Sequence, residues 1–496
     1  MPDLLPMLVL LPLVVLPVVA LLTLSGHVVA ARAVAIAATG GVTVLAFVVA
    51  VTVSTSGPLQ LALGGWEPPV AIVLAADGFS AAMLVLTGVV GILVAIYGSA
   101  SQTLTGGPWF WSLWLLLLAG LNAVYVSADL FNTYVALELV TVAGVALVAL
   151  GGGAAQRAAL RYLLIAVLGS LLFLLGIAFV YAETGTLTLV QAGLRIDGGT
   201  TLFVALGAMT LGLAVKTALF PLHSWLPPAH AGAPAAVSPL MSALVIKASF
   251  FVAVRMWTVL AGESAPVMLA NAVGAVGAVG TVWGGILALR QTKLKKVIAY
   301  STVAQVGYLF LLFPLVVAGG PNAAALAWQG VLLIAVAHGL AKASMFMAAG
   351  SLAYAYGSDE LDVLRGTASR LPTASMAIAI AGVSLAGLPP TLAFVGKWQV
   401  LRASLESGQW WWVPVLLVGG LLTFAYIGRV LAILLDSHGD DDRGGNDGER
   451  TNQVAVRVPV RMQWTALVLA VATIVLGVRS LEVADLLHVT LMGGEQ

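Results

Sequence analysis

The chain has 496 residues, of which 60% are hydrophobic and only 9% charged, with a net charge of +1. A water-facing surface needs far more charge than this, so a soluble globular protein is excluded and a polytopic membrane protein remains. The absence of cysteine excludes disulfides, thiolate-bound iron–sulfur clusters and cysteine nucleophiles from the chain, and without a basic patch no nucleic-acid partner is expected.

A spanning helix needs about 20 apolar residues. Hydropathy marks fourteen candidates, with approximate cores at 5–25, 30–53, 76–98, 109–127, 130–150, 158–181, 202–222, 234–258, 267–289, 297–318, 325–349, 372–393, 411–434 and 462–478. The first, MPDLLPMLVLLPLVVLPVV, lacks a basic n-region and a clear cleavage site, so it reads as a span and not as a signal peptide. Trp109, Trp111, Trp114 and the run Trp410-Trp411-Trp412 lie at span ends and read as interfacial anchors. The seventh span must break at Phe220-Pro221, because proline lacks an N–H and clashes one turn back. The twelfth continues past Pro389-Pro390 toward Lys397 as a second half-helix. The loop 436–453 is rich in Gly, Asp and Asn and reads as solvated; its Asp440-Asp441-Asp442 run is not taken as a metal site.

Paired interrupted segments point to inverted repeats in transporters. The expected fold is therefore all-α, a polytopic membrane protein of about fourteen spans with two inverted five-helix repeats and broken helices 7 and 12. Its expected parts are an N-terminal three-helix segment (1–108), a first repeat (109–258), a second repeat (259–435), and the polar loop with a C-terminal helix (436–496). With the N-terminus outside, fourteen of the 22 basic residues fall in inward loops, Lys293, Lys295 and Lys296 among them. Arg195, Arg255, Arg402 and Arg479 fall outward, an asymmetry that the positive-inside rule expects.

The remaining four basic residues, Lys216, Lys247, Lys342 and Lys397, lie within spans. A lysine at mid-membrane costs roughly 2.5–3.5 kcal/mol on insertion scales, so such residues mark ion or proton paths. Glu138 is the one acidic residue near the middle of a span; Asp77 and Asp129 fall at span ends. A carboxylate and an ammonium can hold each other ionised where either alone would neutralise. Glu138 with Lys216 is thus a switchable pair, the alternative being a static bridge that only fixes helix packing. Lys247 has no acidic partner in the sequence. His338 and Lys342, at i, i+4, share one helix face and fit a relay. His223 and His230 could be imagined around zinc, but no carboxylate or thiol completes a site, and His223 fits better as a link from water to Lys216. No cofactor and no metal are expected.

Five stretches carry a family resemblance: AGLNAVYVSADLFNTYVALEL (119–139), KTALFPLHSWLPPAHAGAPAAVSPLMSALVIKASFF (216–251), QTKLKKVIAYSTVAQVGY (291–308), AHGLAKASMFMAAG (337–350) and SLAGLPPTLAFVGKW (384–398). The chain resembles the proton-conducting, antiporter-like membrane subunits of Mrp-type cation/proton antiporters, respiratory complex I and membrane-bound hydrogenases, and within them the D-type subunits of Mrp antiporters. The resemblance implies a central hydrophilic axis. It places the family's fifth-helix glutamate on Glu138, its lysines of helices 7, 8 and 12 on Lys216, Lys247 and Lys397, and its central relay on His338 and Lys342. It further implies other membrane subunits as partners, protons and monovalent cations as cargo, and the cell membrane as location. Function is then proton translocation in a sodium/proton antiporter complex, or in a complex I-like or hydrogenase complex whose redox cofactors lie in other subunits.

Overall fold

The computed structural model describes residues 2–66, 71–436 and 456–490. The Asp440-Asp441-Asp442 run lies outside the described residues. Every segment marked by hydropathy contains a helix. Among the described residues, eleven helices are long and apolar enough to cross a membrane, while Phe110–Val126, Thr200–Lys216 and Pro372–Ala386 are apolar but shorter. The last two are the first halves of the interrupted spans. One feature departs from the all-helical expectation: Leu59–Ala62 and Val73–Ala76 pair as a small antiparallel hairpin, Leu59 opposite Ala76.

Two spans occupy the centre. The most apolar windows of Val237–Leu260 and Gly320–Tyr356 are wholly buried by protein, against 22% for Leu4–Leu24 and 28% for Val28–Ser56. A helix that is apolar all round carries no signal of which face looks inward; its position at the centre or the rim is decided by its neighbours. Lys247 rides on the first central span, and His338 and Lys342 on the second.

Both breaks have a local cause. The seventh span stops at Lys216, four residues before Phe220, where the break was expected. A helical Pro221 would clash with the carbonyl at 217, so Thr217 closes the helix, and Ala218 turns to φ +56°. A 3-10 turn, Leu222–Trp225, and a short helix, Leu226–Gly232, follow. In the twelfth span Pro372–Ala386 ends in a left-handed Gly387 (φ +79°), and Leu392–Glu406 resumes beyond the prolines. Close helix contacts set each half in place. A Cβ on Gly212 would lie 2.3 Å from the Gly169 carbonyl oxygen, and one on Gly330 would lie 2.7 Å from that of Gly396. Small residues at these crossings let backbones approach, as is usual between membrane helices.

Three sequence expectations change in three dimensions. Trp111 and Trp114 are buried, and Trp114 donates to Thr39 Oγ1 at 3.0 Å; Trp412 is buried as well. Trp109, Trp410 and Trp411 remain exposed. Hydropathy locates a span end but not the face that looks inward. Arg255, expected at an outward position, sits inside Val237–Leu260 and is buried against Asp77. Lys295 lies in the first turn of Leu294–Leu309 and donates to the Ala233 carbonyl at 3.2 Å.

A buried file of charged side chains as candidate functional site

The first node joins three helices. Glu138 and Thr141 stand one turn apart on Leu130–Ala149, so both face the same neighbour. Lys216 Nζ, in the last turn of Thr200–Lys216, donates to Glu138 Oε1 at 2.9 Å and to Thr141 Oγ1 at 2.7 Å. Ser170, on Gly153–Thr184, donates to the same Glu138 oxygen. The Gly169–Gly212 contact brings these two helices together one residue from Ser170. Trp225 Nε1 reaches back across the break to the Val215 carbonyl at 2.9 Å, and its ring stacks on Tyr162 at 4.2 Å. That ties down the helix end that carries Lys216. The Lys216 side chain is 4% exposed and that of Glu138 27%. A buried ammonium is costly unless it is paired, and here one carboxylate and one hydroxyl accept from it.

The second node is Lys247 with His338. Lys247 Nζ contacts His338 Nδ1 and donates to the Ser242 carbonyl at 3.1 Å. Ser242 belongs to a π-helical turn, Met241–Val245, which loosens the normal ladder just before the lysine. The third node is Lys342, bonded to the Ile298 carbonyl at 2.9 Å and to Ser301 Oγ. The fourth is Lys397, which donates to the Leu385 and Ala386 carbonyls at 2.8 and 3.2 Å and lies 4.6 Å over the Tyr308 ring. These carbonyls end the half-helix Pro372–Ala386, where the helix dipole favours a cation.

His338 and Lys342 share one helix, as their spacing predicts, yet bond to different partners. Among the described residues no hydrogen bond joins Lys216 to Lys247, or Lys342 to Lys397, directly. His223 is half-buried, stacks on Phe220 at 5.7 Å, and is not among the hydrogen-bond partners of Lys216. His230 is buried against Phe346 at 4.6 Å. Asp129 caps Leu130–Ala149, its Oδ1 accepting from the Asn132 amide at 2.7 Å. Each of the two histidines thus has its own aromatic neighbour.

The sequence reading missed Thr141, Ser170, Ser242 and Ser301. Thr141 and Ser242 were within reach of it, being i+3 from Glu138 and five residues before Lys247; Ser170 and Ser301 lie 32 and 41 residues from the charged groups they meet. It also missed the buried pair Asp77–Arg255, 178 residues apart, because Asp77 read as a span-end residue and Arg255 as an outward cation.

The family model described as NADH:quinone oxidoreductase/Mrp antiporter, transmembrane, matches residues 127–423, a range that holds all four nodes. The N subunit of the NADH-quinone oxidoreductase of Desulforudis audaxviator is 34% identical over 461 residues, covering 90% of this chain and 89% of the relative. The D subunit of the Na(+)/H(+) antiporter of Bacillus subtilis is 31% identical, covering 76% of each chain. In fold, a chain of the Mrp complex from a Dietzia species superposes with a TM-score of 0.88 over 98% of this chain and 96% of its own, at 24% identity. The chain is therefore a multi-pass cell-membrane protein belonging to the NADH:quinone oxidoreductase/Mrp antiporter transmembrane family.

Proposed function

We propose that this chain is a proton-translocating subunit of an Mrp-like sodium/proton antiporter, working among other membrane subunits. The observation that carries the reading is the Glu138–Lys216 pair, buried at its lysine end and bonded at 2.9 Å, with Thr141 as a second acceptor one turn along. Glu138 holds Lys216 ionised. When a neighbouring subunit pulls the carboxylate away, the lysine releases its proton toward Lys247 and His338, then Lys342, and the proton leaves by Lys397. Residues 109–258 and 259–435 would act as two halves, each with one break and one break-side lysine. The driving energy is an ion gradient, worth about 2.3 kcal/mol per charge per 100 mV. No covalent chemistry occurs in the chain in this scheme, and it calls for no cofactor or metal.

A second reading is favoured by the 34% identity to the N subunit of an NADH-quinone oxidoreductase over 90% of the chain: the same proton path driven by redox chemistry in partner subunits. Proton and sodium flux in vesicles carrying the native complex separates the two. Sodium-dependent proton movement without an electron donor, lost in Lys216→Ala and Glu138→Ala, supports the antiporter. Flux only with a donor moves the chain to the redox-driven class. Unchanged flux in both variants would sink the charge-pair mechanism.

A further inference from the structure

Between Lys342 and Lys397 lies a cluster that none of the six path residues explains. Ser301 and Gln305 sit one turn apart on Leu294–Leu309, and Thr423 and Tyr426 sit three residues apart on Trp412–Leu435. On one side, Lys342 Nζ bonds Ser301 Oγ, whose own proton is given to the Ile298 carbonyl at 2.9 Å. On the other, Gln305 Nε2 donates at 3.3 Å to the Leu385 carbonyl, the same oxygen that holds Lys397, and at 3.3 Å to Thr423 Oγ1. The Tyr426 hydroxyl faces Ser301, Gln305 and Thr423 together. It is buried and makes no hydrogen bond of good geometry with any of them. Buried hydroxyls are normally bonded, to protein or to ordered water, so those of Tyr426 and Tyr308, both left over at a charged axis, call for an explanation. Tyr308 completes the cluster. Its ring lies under Lys397, and its hydroxyl reaches so close to Gly419 that a Cβ there would sit 2.2 Å away.

We propose that the Tyr426 hydroxyl carries the proton between Lys342 and Lys397. The step rests on the proton-path reading above and refines one segment of it. Lys342 gives a proton to Ser301 Oγ as the Ser301 hydroxyl proton turns from Ile298 to Tyr426 Oη. The phenol passes its own proton, through an ordered water, to neutral Lys397. Each hydroxyl ends with one proton, and one proton has moved from Lys342 to Lys397. Gln305 and Thr423 position the phenol, and neither needs to ionise.

The test is proton flux by the whole complex in vesicles, comparing wild type, Tyr426→Phe and Lys216→Ala, in H2O and in D2O. Phenylalanine keeps the ring and removes only the hydroxyl. Flux in Tyr426→Phe should fall roughly a hundredfold, the lower end of what a positioned proton-transfer group contributes. Its solvent isotope ratio should rise above that of wild type, because this hop becomes limiting. A packing defect lowers flux without raising that ratio, and this result would overturn the proposal. Wild-type flux in Tyr426→Phe with flux abolished in Lys216→Ala would overturn the relay and leave the parent reading standing. Unchanged flux in Lys216→Ala would overturn both.

Discussion

The Asp77–Arg255 pair gives the sharpest energetic prediction. The Asp77 side chain is fully buried and that of Arg255 is 7% exposed. Arg255 Nη1 donates to Asp77 Oδ2 at 2.8 Å, and Nη2 reaches Asp77 Oδ1 and, at 3.2 Å, Ser80 Oγ. Asp77 Oδ1 also caps Gly78–Gly98 by accepting from the Ser80 amide at 3.0 Å, and the guanidinium lies 4.9 Å over the Phe251 ring. Arg255→Met strands a carboxylate at 77, and Asp77→Asn keeps the cap but strands the guanidinium. Each single change should cost about 3–5 kcal/mol, because what remains is an uncompensated buried charge. The double variant removes both charges and should lie within about 2 kcal/mol of wild type, since neutral replacements of buried pairs are often nearly cost-free. Denaturant titration of the detergent-solubilised protein, read as a double-mutant cycle, measures this. A double variant that equals the sum of the singles within about 0.5 kcal/mol would mean the two charges are independent, and the burial argument would be wrong.

Other consequences are local to the site. Thr141→Val takes from Lys216 its 2.7 Å hydroxyl acceptor; loss of a hydrogen bond to a buried charge is worth about 1–3 kcal/mol, so vesicle proton flux should drop roughly tenfold. Flux at the wild-type level would remove Thr141 from the switch. Gly387→Ala places a Cβ 2.6 Å from Lys397 Cδ at a residue with φ +79°. It should cost about 1–2 kcal/mol in backbone strain alone and lower flux by displacing Lys397; a thermal-unfolding midpoint equal to wild type would contradict that geometry. Asp129 is capped into a partly buried site, and desolvation raises its carboxyl above the ordinary carboxylate range, against the opposing Asn132 amide bond. The folded protein then binds this proton more tightly than the unfolded chain. The group therefore favours folding at acid pH and loses that contribution as pH rises through the raised value. Asp129→Asn retains a capping oxygen and should flatten this acid-range slope of stability, with no loss at neutral pH. A marked loss at neutral pH would show that the carboxylate itself is needed.

Much of the architecture was already legible along the chain. Segments of about 20 apolar residues, the prolines that interrupt two of them, and lysines inside them all report on local physics. Backbone groups in lipid must be satisfied within the segment, and a charge in lipid is costly whatever the neighbours are. Position along the chain was therefore enough to single out Glu138, Lys216, Lys247, His338, Lys342 and Lys397 as candidates. Pro221 announced a break through a clash with residue 217, although the sequence reading put the helix end at the proline itself.

What the chain could not disclose is which groups meet. Lys247 lacked a partner in the sequence and finds His338, 91 residues away. Arg255 read as an outward cation and is buried on Asp77, and Trp114 read as an anchor and lies in the core. Each of these depends on how a helix is rotated and how far it is shifted against its neighbours. In segments apolar on every side, hydropathy carries no record of rotation. That choice is made by shape, at contacts such as Gly169 on Gly212 and Gly330 on Gly396, where a missing Cβ lets two backbones touch. The apolar segments and their lysines follow from composition along the chain, and the pairing of those lysines follows only from helix packing.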